Sequence, residues 1–153
     1  MFGGMDATGG PFAKQEEQLA ISAKVLGGDG LCATTLSKLA GEAADNVVCS
    51  IAGVPLQNMA GGAAFGKRYE ARFGQAVQLN APFSYDAVYI IVDAMKRANS
   101  IDPARILAAM PATDYKGVLG KIQFNSRGDL TNSVISLYRY VGGVQKLIDV
   151  VRL

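Results

Sequence analysis

Short apolar runs alternate with amphipathic stretches through the first part of the chain. Lys24 to Gly28 and Asn46 to Ile51 have the length and composition of buried strands, and Ala33 to Gly41 between them is predicted to be a helix. Such alternation is typical of a parallel sheet whose strands are joined by right-handed crossovers. The pattern therefore predicts an α/β fold.

The start of the chain predicts an incomplete sheet. Met1 and Phe2 look like the end of a strand, Gly3 to Gly10 is a predicted loop, and a helix is predicted from Pro11 to about Ser22. A two-residue strand cannot complete a βαβ unit and leaves its neighbour unpaired. We expect that residues precede Met1 in the parent protein or that another chain fills the gap; a short edge strand is the alternative. The open edge also predicts a homo-oligomer or a strand-exchanged dimer.

Three amphipathic helices are predicted in the middle of the chain. The first, Gly62 to Phe73, spaces its aromatic residues four positions apart and stops at Gly74. A third helix starts at the N-cap Asp102 and ends before Pro111. Between them, Ser84 to Ala98 carries an apolar stripe that is predicted to face the core: Val88, Ile91, Val92 and Met95.

The last part of the chain changes to strands and tight turns. Gly117 to Phe124 alternates apolar and polar residues, and Asn125 to Asp129 has turn chemistry. Val134 to Val141 and Val144 to Val151 are predicted strands, which the turn Gly142-Gly143 joins into a hairpin. We predict that the 153 residues form a single domain. Its fold is expected to be a three-layer α/β/α lobe with a mostly parallel sheet and C-terminal antiparallel strands, incomplete at the N-terminus.

Composition removes several classes of function. The net charge is only +2, which provides no basic face for nucleic acid. The chain contains no histidine, which removes His-dependent triads, His general bases and His-ligated zinc. Lysine, aspartate, glutamate or tyrosine could still catalyse, so an enzyme is disfavoured without being excluded. We predict no cofactor and no metal.

Two glycine-rich loops are expected at neighbouring strand ends, where open α/β sheets bind ligands. Gly3 to Gly10 could cradle a phosphate on backbone N–H groups, but its spacing fits neither known phosphate motif. The alternative is that Asp6 or Thr8 caps the helix. In the second loop, Asp29 is a carboxylate between glycines and could pair with an ammonium group. The alternative there is that Asp29 only bonds its own backbone.

The remaining candidate residues have ordinary alternatives. Cys32 and Cys49 are too few for a zinc site, so they are two free thiols in a cytosolic protein or a disulfide in an exported one. Glu16 and Glu17 are adjacent on a helix and therefore diverge, which favours a solvated surface over a catalytic pair.

Five short segments occur in an order and spacing that match a known family. The chain resembles the periplasmic branched-chain amino-acid (Leu/Ile/Val) binding proteins of ABC transporters, over nearly its whole length. The resemblance rests on Phe2-Gly3-Gly4-Met5-Asp6, Leu26-Gly27-Gly28-Asp29-Gly30, Tyr85-Asp86-Ala87, Asp93-Ala94-Met95-Lys96-Arg97-Ala98 and Phe124-Asn125-Ser126-Arg127-Gly128-Asp129.

The resemblance implies a type I periplasmic binding fold with two α/β lobes that close on an amino acid. It covers only the C-terminal portion, so the N-terminal lobe would be missing. By position, Asp29 would face the ligand's α-ammonium group, and Met5 would stand where the family has a tyrosine. It further implies a periplasmic parent protein, although no signal peptide opens this chain, and for Cys32 and Cys49 we then predict an oxidised pair.

These observations support one main hypothesis and two alternatives. The chain is predicted to be a truncated substrate-binding component of an amino-acid ABC importer, with an ABC permease as partner and with weak or absent binding of the free amino acid. The first alternative is a ligand-sensing regulatory domain of the same fold, for an amide or an amino acid. The second, a flavodoxin-like enzyme or nucleotide binder, is disfavoured because histidine and a phosphate motif are both absent.

Overall fold

The computed structural model describes residues 1–152, which fold into two compact units. The first unit contains Met1–Val54 and the strands from Val134 onward, and the second contains Pro55–Ser133. Each unit has its own secondary structure and its own buried residues. The single domain expected for residues 1–153 stays a prediction.

Helices and strands alternate in the first unit, whereas three helices precede a short hairpin in the second. The α-helices are α1 (Asp6–Gln18), α2 (Leu36–Ala40), α3 (Gly62–Phe73), α4 (Ala81–Ala98) and α5 (Pro103–Ala109). The strands are β1 (Val25–Gly27), β2 (Val47–Ala52), β3 (Asp114–Lys116), β4 (Lys121–Gln123), β5 (Val134–Val141) and β6 (Val144–Arg152). Short 3-10 helices lie at Asp29–Leu31, Gly41–Asn46, Leu56–Asn58 and Met110–Ala112. No helix within residues 1–152 is both long enough and apolar enough to cross a membrane.

A mixed four-stranded sheet organises the first unit, in the order β1-β2-β5-β6. β1 runs parallel to β2, with Gly27 opposite Cys49, and Phe2 adds a parallel bridge to Gly27. β5 pairs antiparallel with both β2 and β6, which confirms the predicted C-terminal hairpin. The α/β class is confirmed. The parallel contacts of this sheet are those between β1 and β2 and between Phe2 and Gly27, whereas β5 runs antiparallel to β2.

One hydrophobic core fills the first unit and supports the ends of β1 and β2. The core consists of Ala13, Val25, Leu31, Cys32, Leu36, Ala40, Ala43, Ala44, Val47, Cys49, Ile51 and Tyr140. In β2, every second side chain from Val47 is buried, as expected for a strand with one face on the core. The hydrophobic core therefore supports the loops that follow β1 and the Phe2 bridge.

Helix α1 begins earlier than the sequence predicted. It starts at Asp6 and ends at Gln18, so Gly9 and Gly10 lie inside the helix and Pro11 is not its first residue. A Cβ at Gly9 would lie 2.2 Å from Leu31 Cδ2, and one at Gly10 would lie 2.6 Å from Leu39 Cβ. The glycines allow close packing, and that packing outweighs their poor helix propensity. The predicted loop Gly3 to Gly10 is therefore wrong from Asp6 onward, and only residues 3–5 lie outside a helix or strand.

Other boundaries differ by a few residues. The predicted helix Ala33 to Gly41 is reduced to α2, and the predicted strand Gly117 to Phe124 is reduced to β4. The sequence pattern missed β3, which pairs with β4 through Tyr115 opposite Ile122. α4 begins three residues before Ser84, with Pro82 in its first turn.

In the second unit, α4 buries a different face from the one predicted. Val88, Ile91 and Val92 are 60%, 44% and 39% exposed, so the prediction that their stripe faces the core is wrong. The buried residues of α4 are Pro82, Asp86, Ile90 and Ala94, which recur every four positions. The buried face includes a carboxylate because Asp86 binds backbone N–H groups inside the unit, an interaction that an apolar pattern cannot reveal.

Candidate functional site

Two loops at the ends of neighbouring strands lie side by side in the first unit. The Phe2 N–H donates to the Leu26 carbonyl at 2.7 Å, which holds the chain start beside β1. A Cβ at Gly30 would lie 3.0 Å from Met5 Sδ and 3.1 Å from the Gly4 carbonyl. Glycine at position 30 therefore lets the Met5 loop approach the Asp29 turn.

Met5 stands at the N-terminus of α1 with its side chain in solvent. Its backbone is extended, its side chain is 64% exposed, and its carbonyl accepts hydrogen bonds from the N–H groups of Thr8 and Gly9. The thioether thus offers an apolar, adaptable surface next to the Asp29 turn. It offers no hydroxyl to a ligand.

Asp29 opens the 3-10 helix that follows β1, and its side chain is exposed. Its Oδ1 accepts a hydrogen bond from the Gly30 N–H at 2.9 Å. Within residues 1–152, Oδ2 has no hydrogen-bond donor and the carboxylate forms no ion pair. The alternative of backbone bonding therefore accounts for one oxygen, and the other is open to a donor from a ligand.

Asp6 and Thr8, the predicted capping residues, do not cap helix α1. The N-cap is Met5, which makes no side-chain cap bond. Asp6 Oδ1 accepts from the Ala7 N–H at 2.9 Å, and Oδ2 accepts from the Thr35 hydroxyl. The Thr8 hydroxyl donates to the Met5 carbonyl at 3.1 Å. Asp6 thus ties the start of α1 to the segment before α2, and Gly9 and Gly10 lie inside α1, where they allow packing against Leu31 and Leu39.

Two anchors fix the chain just after Asp29. The structure joins Cys32 to Cys49 by a disulfide, with the Cα atoms 5.5 Å apart. The hydroxyl of Tyr140 lies 2.8 Å from the Leu31 carbonyl and 2.9 Å from the Ala33 carbonyl, and can donate to either. The sequence analysis missed Tyr140, because nothing local marks a tyrosine in β5 as a partner for a loop 109 residues away.

The ionisation of Tyr140 is suppressed in the folded protein. The side chain is 2% exposed, and this burial, with a smaller contribution from the Asp6 charge, raises its pKa to about 12 from an ordinary value of 10.0. A folded-state pKa above the unfolded one contributes stability that is fully present below pH 10 and is lost as the pH rises towards 12.

Replacing Tyr140 with phenylalanine should lower the free energy of unfolding by about 1–3 kcal/mol near neutral pH, because a buried carbonyl loses its donor. Urea unfolding at several pH values should show the difference from wild type shrinking above pH 10, where wild type alone loses the Tyr140 contribution. Tyr89→Phe, which removes the hydroxyl of a half-exposed tyrosine, is the control. A difference that stays constant from pH 9 to pH 12 would contradict the role assigned to this hydroxyl.

The other candidate residues do not assemble into a reactive centre. Glu16 and Glu17 lie on α1, and Glu16 Oε2 is buried without a hydrogen-bond partner in the described part of the chain. No group of three or more histidine, cysteine, aspartate or glutamate residues within residues 1–152 could hold a metal ion. The feature of the first unit that can contact a ligand is the open Oδ2 atom of Asp29, beside the exposed side chain of Met5.

The second unit contains a carboxylate with a structural role. Asp86 is fully buried, and its two oxygens accept hydrogen bonds from the N–H groups of Val118 at 3.0 Å and Leu119 at 2.8 Å. A Cβ at Gly117 would lie 2.4 Å from Asp86 Oδ1. Asp86 therefore holds the turn between β3 and β4 against α4.

Residues 2–143 match the family model described as periplasmic binding protein. The chain belongs to this family. Its members are ligand-binding proteins without enzymatic activity, which confirms the predicted class of function. A Leu/Ile/Val-binding protein of Rhizobium johnstonii is 30% identical over 148 residues, which cover 93% of this chain and 39% of that protein.

Solved structures of periplasmic binding proteins share the fold. A leucine-binding protein of Thermotoga maritima superimposes with a TM-score of 0.81 and 22% identity, over 97% of this chain and 43% of that protein. A branched-chain amino acid transporter substrate-binding protein of Streptococcus pneumoniae, in complex with isoleucine, gives a TM-score of 0.77 and 21% identity, over 99% and 43%. This periplasmic binding protein chain thus spans less than half the length of the relatives that it matches.

Proposed function

We propose that this chain forms part of the substrate-binding component of an ABC importer for an aliphatic amino acid, with Asp29 pairing with the ligand's ammonium group. The observation that carries the proposal is the exposed Asp29 carboxylate, whose Oδ2 has no partner within residues 1–152, beside the exposed Met5 side chain. The similar proteins are named for leucine, isoleucine and valine, which are ammonium compounds with aliphatic side chains.

Charge and shape support an ammonium ligand at Asp29. Gly28 and Gly30 flank the carboxylate without side chains of their own, so a ligand can reach it directly. A hydrogen bond between an ammonium group and a carboxylate is about twice as strong as one between neutral groups. Met5 adds an apolar contact close to this charge, which suits an aliphatic side chain and gives no donor for a polar one.

We further propose that the chain supplies only half of the amino-acid site. It covers 39% of the Rhizobium protein, and none of the ion pairs found within residues 1–152 involves Asp29. A complete receptor of this kind closes two lobes around its ligand and presents the closed form to a membrane permease. The parent protein would be periplasmic, and this chain would contribute to its C-terminal lobe.

The regulatory alternative would use the same chemistry in another compartment. A ligand-sensing domain could also bind an amino acid through Asp29. The disulfide between Cys32 and Cys49 favours an exported receptor, since disulfides seldom persist in the reducing cytosol. The dimer that would cover the open side of β1 stays a prediction.

Replacing Asp29 with asparagine should weaken leucine binding by about tenfold or more, because the charge-assisted hydrogen bond is lost. Binding to the chain is expected to be weak, with a Kd above about 1 mM, so amide chemical shifts are the suitable measurement. Leucine should move the signals of Met5, Gly28 and Gly30 in the wild-type chain and leave them in place in the variant.

Ligand analogues and a matched variant sharpen this test. Isopentylamine keeps the ammonium group and should bind about as well as leucine, whereas 4-methylpentanoate keeps only the carboxylate and should not bind. Glu42→Gln removes an exposed carboxylate of the same unit and should leave binding unchanged. Equal shifts in wild type and the Asp29 variant would contradict the role of Asp29. A micromolar Kd for leucine would contradict the half-site.

A further inference from the structure

The second unit contains a groove that the proposed amino-acid site does not use. It has a volume of about 540 Å³ and lies between the facing sides of α3 and α4. Its lining residues are Phe65, Arg68, Tyr69, Arg72, Phe73, Ala81, Ser84 and Tyr85. The lining combines four aromatic rings with two arginines and includes no acidic residue.

The aromatic rings form a continuous surface along the groove. Phe65 is buried at its base, with ring centroids 5.8 Å from Tyr69 on the same helix and 5.3 Å from Tyr85 on α4. Tyr69 in turn lies 4.8 Å from Phe73, which is 55% exposed. An aromatic ligand can make offset-stacked or edge-to-face contacts with these rings. Such contacts stabilise an aromatic pair beyond the burial of its surface, so the groove favours an aromatic group over an aliphatic chain.

The two arginines provide positive charge at the side of this aromatic surface. Arg68 and Arg72 are exposed and one helical turn apart on α3, so they project from the same face. None of the ion pairs found within residues 1–152 involves either of them. The Arg72 guanidinium lies 5.7 Å from the centroid of the Phe73 ring, which keeps it close to the groove.

We propose that this groove, the α3/α4 groove, binds a small aromatic carboxylate. The ligand's ring packs on Tyr69, Phe73 and Tyr85, and its carboxylate lies between Arg68 and Arg72. Guanidinium groups match a planar carboxylate with paired hydrogen bonds, and the aromatic lining selects a ring over an aliphatic anion. The site is independent of Asp29 and requires no ammonium group on the ligand.

Titration with 2-naphthoate, followed by its fluorescence, tests the groove in the whole chain. We expect saturable binding with a Kd on the order of 0.1–1 mM. Arg68→Gln and Arg72→Gln should each weaken it by about tenfold, as expected for the loss of a charged hydrogen bond. Lys67→Gln removes the same charge from α3 outside the groove and should leave the affinity unchanged. Circular dichroism of each variant should give the same helix content as the wild type, which is the control for folding.

Two further measurements separate this site from others. The neutral amide 2-naphthamide should bind wild type about tenfold more weakly than the carboxylate, a comparison that needs no variant. Asp29→Asn should bind 2-naphthoate as well as wild type does. No saturable binding, equal affinity for acid and amide, or an equal loss in the Lys67 variant would overturn the proposal. Loss of binding on changing Asp29 would assign the ligand to the first unit and would overturn it as well.

Discussion

Replacing Asp86 with asparagine is expected to lower the free energy of unfolding by about 2–4 kcal/mol. The two oxygens of this fully buried side chain accept from the N–H groups of Val118 and Leu119. Asparagine keeps one acceptor and points an N–H donor at the other N–H group. One buried donor then has no partner, and two donors face each other.

Urea unfolding of the variant and of Asp93→Asn provides the comparison. Asp93 lies on the same helix, is partly exposed and forms an i,i+4 ion pair with Arg97 at 2.9 Å. Exposed pairs of this kind contribute less than about 1 kcal/mol, so the control should lose little stability. Similar losses in the two variants would show that the buried hydrogen bonds to Val118 and Leu119 are not what Asp86 contributes.

The elements that sequence predicted best are those whose signal is local. β2, β5 and β6 have runs of apolar or alternating residues, and Gly142-Gly143 marks their hairpin turn directly, with both glycines at positive φ. The N-cap of α5 is equally local: Asp102 Oδ1 accepts from the Arg105 N–H at 3.0 Å. In each case the residues that specify the structure are within a few positions of it.

The errors come from contacts between distant residues. In the sequence, Gly9 and Gly10 resemble loop residues. Only the folded structure shows that Leu31 and Leu39 pack against them. The face that α4 buries depends on where residues 118 and 119 present their N–H groups, and no periodicity within α4 contains that information. Tertiary packing therefore overrode local propensity at both places.

The candidate site was predictable only in part. Position at strand ends was enough to nominate Asp29, and the family resemblance added Met5 beside it. Sequence could not tell how many of the Asp29 oxygens its own backbone would use, since that depends on the conformation of one turn. It also gave no sign of Tyr140, whose hydroxyl reaches the same turn from β5.

Breaking the disulfide between Cys32 and Cys49 is expected to lower the free energy of unfolding by about 3 kcal/mol, the loop-closure contribution of a bridge across 17 residues. The measurement is urea unfolding of the wild-type chain with and without a reductant. The Cys32→Ala/Cys49→Ala variant is the control, because the reductant should not change its stability. Two free thiols in the native, non-reduced protein would contradict the pairing.

The disulfide and the Tyr140 hydroxyl should also depend on each other. Cys32 lies between Leu31 and Ala33, whose carbonyls are the two acceptors available to Tyr140. Each anchor therefore holds the same short segment after Asp29, and residues that share a structure in this way do not contribute additively.

With the bridge intact, the segment stays near Tyr140 even when one hydrogen bond is lost. We expect Tyr140→Phe to broaden or shift the amide signals of Asp29 and Gly30 more in the reduced protein than in the oxidised one. Equal changes in both would show that the two anchors act independently of each other.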